Sequence, residues 1–400
     1  MIKIKENKWL CGALPALLIH SCIGSVYCWS LLKGDIAQEM GLVSTSPIEF
    51  AFSLAIFSLG MSAAFGGRFV EKNVKNASVL SMICFISGLL LSALAIKGGS
   101  ILGLFLSYGA LMGIGLGIGY LSPVKTLMLW FSKHPGLATG IAISGFGLSK
   151  VLFSPIIEYL FSINLLASEV LTAMAGISFL PMLLASLFIK KPEGWTEPKD
   201  EFKFKDAFKV ILDSRYIRIW LLFYLNITCG LALISFEKSI ALSVGISGIA
   251  LLSATTALFN TVGRFGYSTC SDLVSKKIII YLIIFFTSTI FCLGSVSLSP
   301  ILLIITLCII NAGYGGGFST LPILLKEKFG MNNISTIHGF ALSAWAWAGL
   351  SGNQLSSFII NNRGLGYDTL FLVVGVIYIV ALGIAISLFK DDKRSPGGIR

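Results

Sequence analysis

The chain has 400 residues, of which 55% are hydrophobic and 12% charged, with a formal net charge of +11. A soluble globular domain carries about 25% charged residues, so the composition excludes an ordinary water-soluble fold and turns most of the surface toward lipid. The positive balance does not point to nucleic acid either, because the cations gather at particular loops.

Twelve apolar runs follow one another along the chain, each near the roughly twenty residues that cross a bilayer as a helix. They cover 9–32, 50–70, 77–96, 102–127, 137–157, 165–189, 217–236, 246–268, 278–298, 301–324, 338–360 and 369–389. The first is too long for a signal-peptide core and lacks a small-residue cleavage site. One long polar stretch runs from Lys190 to about Arg215 and contains Pro192 and Pro198. It reads as a cytoplasmic linker, 191–215, between bundles at 1–190 and 216–400. With both ends inside, most of the Lys and Arg fall on the inner side, leaving Lys33, Lys97, Lys238 and Arg363 outside. This positive-inside bias predicts cytoplasmic termini and a multi-pass protein of the plasma membrane, the inner membrane of a bacterium.

The two halves carry related patterns. Gly117-Ile118-Gly119-Tyr120, Pro123 and Phe131 in the fourth run correspond to Gly315-Gly316-Gly317-Phe318, Pro322 and Phe329 in the tenth. The expected fold is therefore an all-α membrane protein with twelve transmembrane helices in two pseudo-symmetric six-helix bundles. Glycine-rich, broken helices at corresponding places predict a binding site between the halves. Gly113 and Gly117 in the fourth run, and Gly145 and Gly147 in the fifth, predict close helix packing or sliding. Charged turns at the inner helix ends, with Arg68, Glu71 and Lys72 in the first half and Asp272 in the second, are candidates for an inner gate or for topology anchors.

Charges inside a membrane are costly and mark function. Arg264 sits eight residues before Asp272, about 12 Å from the inner helix end by helical rise. No acid lies within a turn of it, and Asn260 shares its face. Its planar fork suits a carboxylate; the alternative is a side chain that snorkels to the cytoplasm. Lys150 could face a cavity as a substrate-binding or coupling cation, pair with an acid elsewhere, or reach the outer interface. Lys33 and His20 are candidates for coupling, His20 as a proton relay or a packing group. Tyr27, Tyr120, Tyr314, Phe318 and Trp345 could wall a small organic anion. The eight cysteines and three histidines show no metal spacing. No phosphate-binding loop, HExxH or GxSxG motif is present, so neither an enzyme nor a resident cofactor is expected.

Across its length the chain resembles the major facilitator superfamily. Gly24-Ser25-Val26-Tyr27-Cys28-Trp29-Ser30, the segment Gly119-Tyr120 to Gly145-Phe146-Gly147, Pro192 to Trp195, and Gly315 to Pro322 resemble the oxalate/formate antiporter family, with monocarboxylate transporters as the neighbouring branch. The resemblance implies alternating access and carriage of small carboxylates. Under it, Arg264 matches the family's substrate-anchoring arginine, and Tyr27 and Tyr120 match aromatic positions lining the oxalate site. Tyr314 and Phe318 take the corresponding places in the tenth helix. Two departures stand out. Trp345 replaces the exchanger's second lysine, which favours a monocarboxylate. Asn260 stands where proton-coupled carriers hold an acid, which removes that route for a proton.

The expected function is a secondary carrier of a small organic anion, most simply a monocarboxylate, acting as a monomer in the lipid bilayer and using protons or a counter-anion. Its rivals are a carrier of another solute, such as a siderophore or drug, and a transporter-like sensor.

Overall fold

The computed structural model describes residues 7–131, 135–194, 209–330 and 334–394. The described chain is helical. The helices of the first half are α1 (Trp9–Glu39), α2 (Ser46–Lys72), α3 (Val74–Lys97), α4 (Ile101–Trp130), α5 (Pro135–Ser162) and α6 (Ala167–Phe188). The second half holds α7 (Ser214–Ile234), α8 (Ile249–Leu273), α9 (Ile278–Gly294), α10 (Pro300–Phe329), α11 (334–362, in pieces) and α12 (Tyr367–Arg394).

Ten of these helices are by themselves long and apolar enough to cross a membrane. The other two crossings have identifiable reasons for falling short. Helix α8 carries Thr256, Asn260, Arg264 and Ser268 along one face, all of them buried. Helix α11 is interrupted at Leu342, and its last turn is π-helical. Bulky apolar side chains cover the outer wall, among them Leu94, Leu106, Leu251, Phe286, Ile301 and Val380, as a lipid-facing surface requires.

Packing follows the repeat. In the first half α1 touches α4, α5 and α6; α4 touches α2 and α3; and α3 touches α6. In the second half α7 touches α10, α11 and α12; α10 touches α8 and α9; and α9 touches α12. Adding six to each helix of the first set gives the second. The halves meet at two seams, α5 on α8 and α2 on α11, which the same operation exchanges.

Glycines bring these seams close. At Gly147 an added Cβ would stand 3.0 Å from the Thr261 backbone, and at Gly60 2.7 Å from Ala346 Cα. Gly113 and Gly117 seat α4 on α2, and Gly145 seats α5 on α1 beside His20. The tenth helix is unbroken, contrary to the sequence expectation, and the fourth is interrupted ahead of its Gly117–Pro123 stretch, not within it. Both run continuously through Pro123 and Pro322. Each proline removes one backbone donor, and Gly113, Gly117 and Gly315 lie against neighbouring helices. The irregular turns sit elsewhere: α1 tightens to a 3-10 turn over Gly24–Cys28, and α4 carries a π segment over Phe105–Met112.

The face where α1 begins and α12 ends is tied by Lys190 N–H to Cys11 O (3.1 Å), Trp130 Nε1 to Lys190 O (2.9 Å) and an Arg218–Asp391 ion pair (2.7 Å). The opposite face is called the far face below.

Candidate anion site at the seam of the two halves

Arg264 has no exposed surface, so it does not snorkel. Its Nε donates to Asn260 Oδ1 at 2.7 Å, one turn up the same helix face. Among the described residues Nη1 and Nη2 meet no hydrogen-bond acceptor. The guanidinium lies between two rings, its Cζ 5.6 Å from the centre of Phe146 and 5.1 Å from that of Phe318. Gly315 of α10 makes the room, since a Cβ there would reach to 2.8 Å from Arg264 Cγ.

Both halves supply the aromatic walls. The Tyr27 hydroxyl of α1 and the Tyr314 hydroxyl of α10 share a hydrogen bond of 2.6 Å. The 3-10 turn at Gly24–Cys28 carries Tyr27. Trp345 of α11 packs edge-on to Phe318 (4.5 Å), Tyr120 (5.2 Å) and Phe146 (5.9 Å). Tyr120 Oη and Trp345 Nε1 also lack partners among the described residues. Two guanidinium nitrogens, an indole N–H and a phenol are thus buried donors without acceptors. Such groups carry the full desolvation penalty, and an anion bearing several oxygens would relieve it.

Sequence reasoning named seven of these residues: Arg264, Asn260, Tyr27, Tyr120, Tyr314, Phe318 and Trp345. The structure brings all seven together. It missed Phe146, which as an apolar ring in an apolar helix gave no signal beyond its place in a Gly-Phe-Gly motif.

Lys150 takes the alternative of a pair with a distant acid and is not a free cation for a substrate. Its Nζ lies 2.5 Å from Glu237 Oε2, and the two residues are 3% and 1% exposed. Thr256 Oγ1 donates to the other Glu237 oxygen at 2.8 Å. Lys150 nevertheless lines a small cavity with Tyr27, Gly147, Asn260 and Asn311. Glu237 follows the end of α7 and escaped attention because it falls one residue outside the predicted apolar run.

The two coupling candidates are engaged as well. Lys33 Nζ binds Glu49 Oε1 at 2.7 Å and Ser235 O at 3.0 Å. His20 is held between the carbonyls of Ala142 and Tyr120, and its ring packs on Tyr120 and Phe146. It thereby ties α1 to α4 and α5, the packing alternative of the sequence reading.

At the terminal face, Lys72 is exposed at the end of α2. Asp272 abuts Gly136 in the first turn of α5, where a carboxylate complements the helix dipole. The side chains of Arg68 and Glu71 lie outside the described residues.

The sequence profile of the Major Facilitator Superfamily matches residues 13–353. The chain is 24% identical to the oxalate:formate antiporter of Oxalobacter formigenes, over 95% of this chain and 91% of that protein. It is 22% identical to monocarboxylate transporter 12 of Rattus norvegicus, over 77% of this chain and 73% of that one. The crystal structure of the superfamily transporter FucP, in its outward conformation, superposes with a TM-score of 0.69 at 14% identity, covering 94% of this chain and 97% of that one. With its paired six-helix bundles and buried donor set, the chain belongs to the Major Facilitator Superfamily, as a multi-pass membrane transporter and not an enzyme.

Proposed function

We propose that this transporter carries a small organic anion, a monocarboxylate in the simplest case, by alternating access, with Arg264 as the carboxylate anchor. The observation that carries the reading is the buried guanidinium, whose two Nη nitrogens meet no acceptor among the described residues. A carboxylate has two oxygens at the spacing of that fork. Tyr120 Oη and Trp345 Nε1 supply further donors, and Phe146 and Phe318 shield the pair from water. The aromatic packing around Arg264 favours a solute of few atoms over a siderophore or drug. By the family resemblance Trp345 stands where the oxalate exchanger holds a second cation, which favours a monocarboxylate over a dicarboxylate.

The termini face the cytoplasm in this reading, and the membrane is the plasma membrane. The bundles are 1–190 and 216–400, joined by the 191–215 linker. The far face opens to admit the anion to Arg264. Neutralising the cation lowers the cost of burying it, the halves rock about the α5–α8 and α2–α11 seams, and the anion leaves inside. A ligand drives such a cycle only through its differential affinity for the two states. Two relatives, an oxalate:formate antiporter and a monocarboxylate transporter, are named for anions of this chemistry. The test is uptake of labelled formate, acetate or pyruvate into liposomes holding the purified protein. Uptake of at least one of them is expected, with none by Arg264→Ala. Equal uptake by that variant would remove Arg264 from the mechanism.

A further inference from the structure

Among the described residues the buried acids are Glu49 and Glu237, and the two differ in what holds them. Glu49 pairs with Lys33, and both belong to the first half. That pair can travel as a unit when the halves move. Glu237 belongs to the second half, at the start of the short helix Glu237–Ser243, and its cation, Lys150, belongs to α5 of the first. Any widening of the far face between α5 and the α7–α8 turn pulls this pair apart. An unpaired carboxylate would then be left in a poorly hydrated wall, which is costly. A proton removes that cost.

The geometry links the pair to the anion site. Thr256, Asn260 and Arg264 occupy successive turns of one face of α8. Thr256 holds Glu237, and Asn260 holds Arg264. Glu237 therefore lies about 12 Å farther toward the far face than Arg264 by helical rise. The cavity lined by Lys150, Tyr27 and Asn260 lies between them.

We infer that Glu237 is the proton-binding carboxylate of the transport cycle and the latch of the far gate. This rests on the carrier reading above and adds its coupling ion. With the far face shut, Glu237 is ionised and bound to Lys150. As that face opens, a proton from the far side adds to Oε2, the ion pair breaks, and Lys150 keeps its charge. Closing returns the proton toward the inner side as Lys150 re-forms its bond. One proton entering with one monocarboxylate makes the cycle electroneutral. Among the described residues, Cys28 of α1 and Cys308 of α10 also face Glu237, and Lys238 follows it in the chain. Lys33 approaches the same turn through Ser235 O and the Phe236 ring, 3.8 Å away, but has Glu49 as its own counter-charge.

The test reads conformation without substrate. Ser162, at the far end of α5, and Ser247, just before α8, are both exposed. Spin labels on cysteines at these two positions, in a Cys270→Ser background, report the far-gate distance by pulsed electron resonance. The wild-type background should show a longer-distance population growing between pH 8 and pH 5. Glu237→Gln should show that population at both pH values. Thr256→Val, which removes a hydroxyl donated to the ionised form, should move the midpoint to higher pH, and serves if the Gln variant does not fold. A distance distribution that ignores pH in the wild type, or a pH response unchanged in Glu237→Gln, overturns the proposal. If the wild type responds to pH and Glu237→Gln does not, but no monocarboxylate is taken up, the proton site stands and the carrier reading falls.

Discussion

Breaking the Lys150–Glu237 pair from either side should destabilise the protein far more than removing both partners. The side chains are 3% and 1% exposed and joined at 2.5 Å. Removing one partner of such a pair strands the other charge and costs about 3–5 kcal/mol. Replacing both with apolar side chains of similar volume is neutral or stabilising by about 1–4 kcal/mol. Thr256 does not then become an orphan, because its hydroxyl also reaches Ser253 O at 3.1 Å. Lys150→Met and Glu237→Met should each lower the unfolding free energy by about 3 kcal/mol or more, and the double variant should recover most of that loss. The assay is unfolding of the micelle-bound protein by titrated sodium dodecyl sulfate, followed by tryptophan fluorescence, for all four corners of the cycle. Single losses below about 1 kcal/mol that simply add in the double variant would refute a buried, mutually dependent pair.

Tyr120→Phe removes a hydroxyl that has no partner among the described residues, so stability should hold. Substrate affinity should fall about tenfold or more, the scale of one hydrogen bond to a charged group, read as a raised KM for monocarboxylate uptake; an unchanged KM would place the phenol outside the site. Gly147→Leu should abolish transport, because its side chain would enter the α5–α8 seam where the Thr261 backbone stands 3.0 Å from an added Cβ. Full activity in liposomes would show that the α5–α8 seam has room for a branched side chain. Tyr27→Phe should cost about 1 kcal/mol of stability by removing the 2.6 Å bond to Tyr314, measured by the same detergent titration, and no loss would mean that this link between the halves is not formed.

Much of the site was legible because a membrane interior makes charge conspicuous. Arg264 stands out in α8 on cost alone, and Asn260 follows from four-residue spacing. Tyr120 and Phe318 follow from the internal repeat, whose mark on packing is the matched set of helix pairs in the two halves. The partners of Lys150 and Lys33 were not legible in the same way. Glu237 lies 87 positions from Lys150 in the chain, at a helix end where an acid reads as a solvated loop residue. Glu49 stands just before its apolar run for the same reason. Phe146 was invisible as a wall of the site because burial and lipid contact select the same side chain. The breaks expected at the glycine–proline stretches of α4 and α10 failed on a related ambiguity: a glycine row signals either a kink or a close neighbour, and here Gly113, Gly117 and Gly315 each have the neighbour.

The central claim concerns one guanidinium with two donors to offer a carboxylate. Thermal unfolding of the detergent-purified protein, with and without millimolar formate, acetate or pyruvate, tests it most directly, since a ligand that binds only the folded state raises the melting point by mass action. The wild-type protein should melt higher with at least one of these anions, and Arg264→Ala should melt at the same temperature with and without it. A ligand-induced rise of equal size in Arg264→Ala would contradict the account.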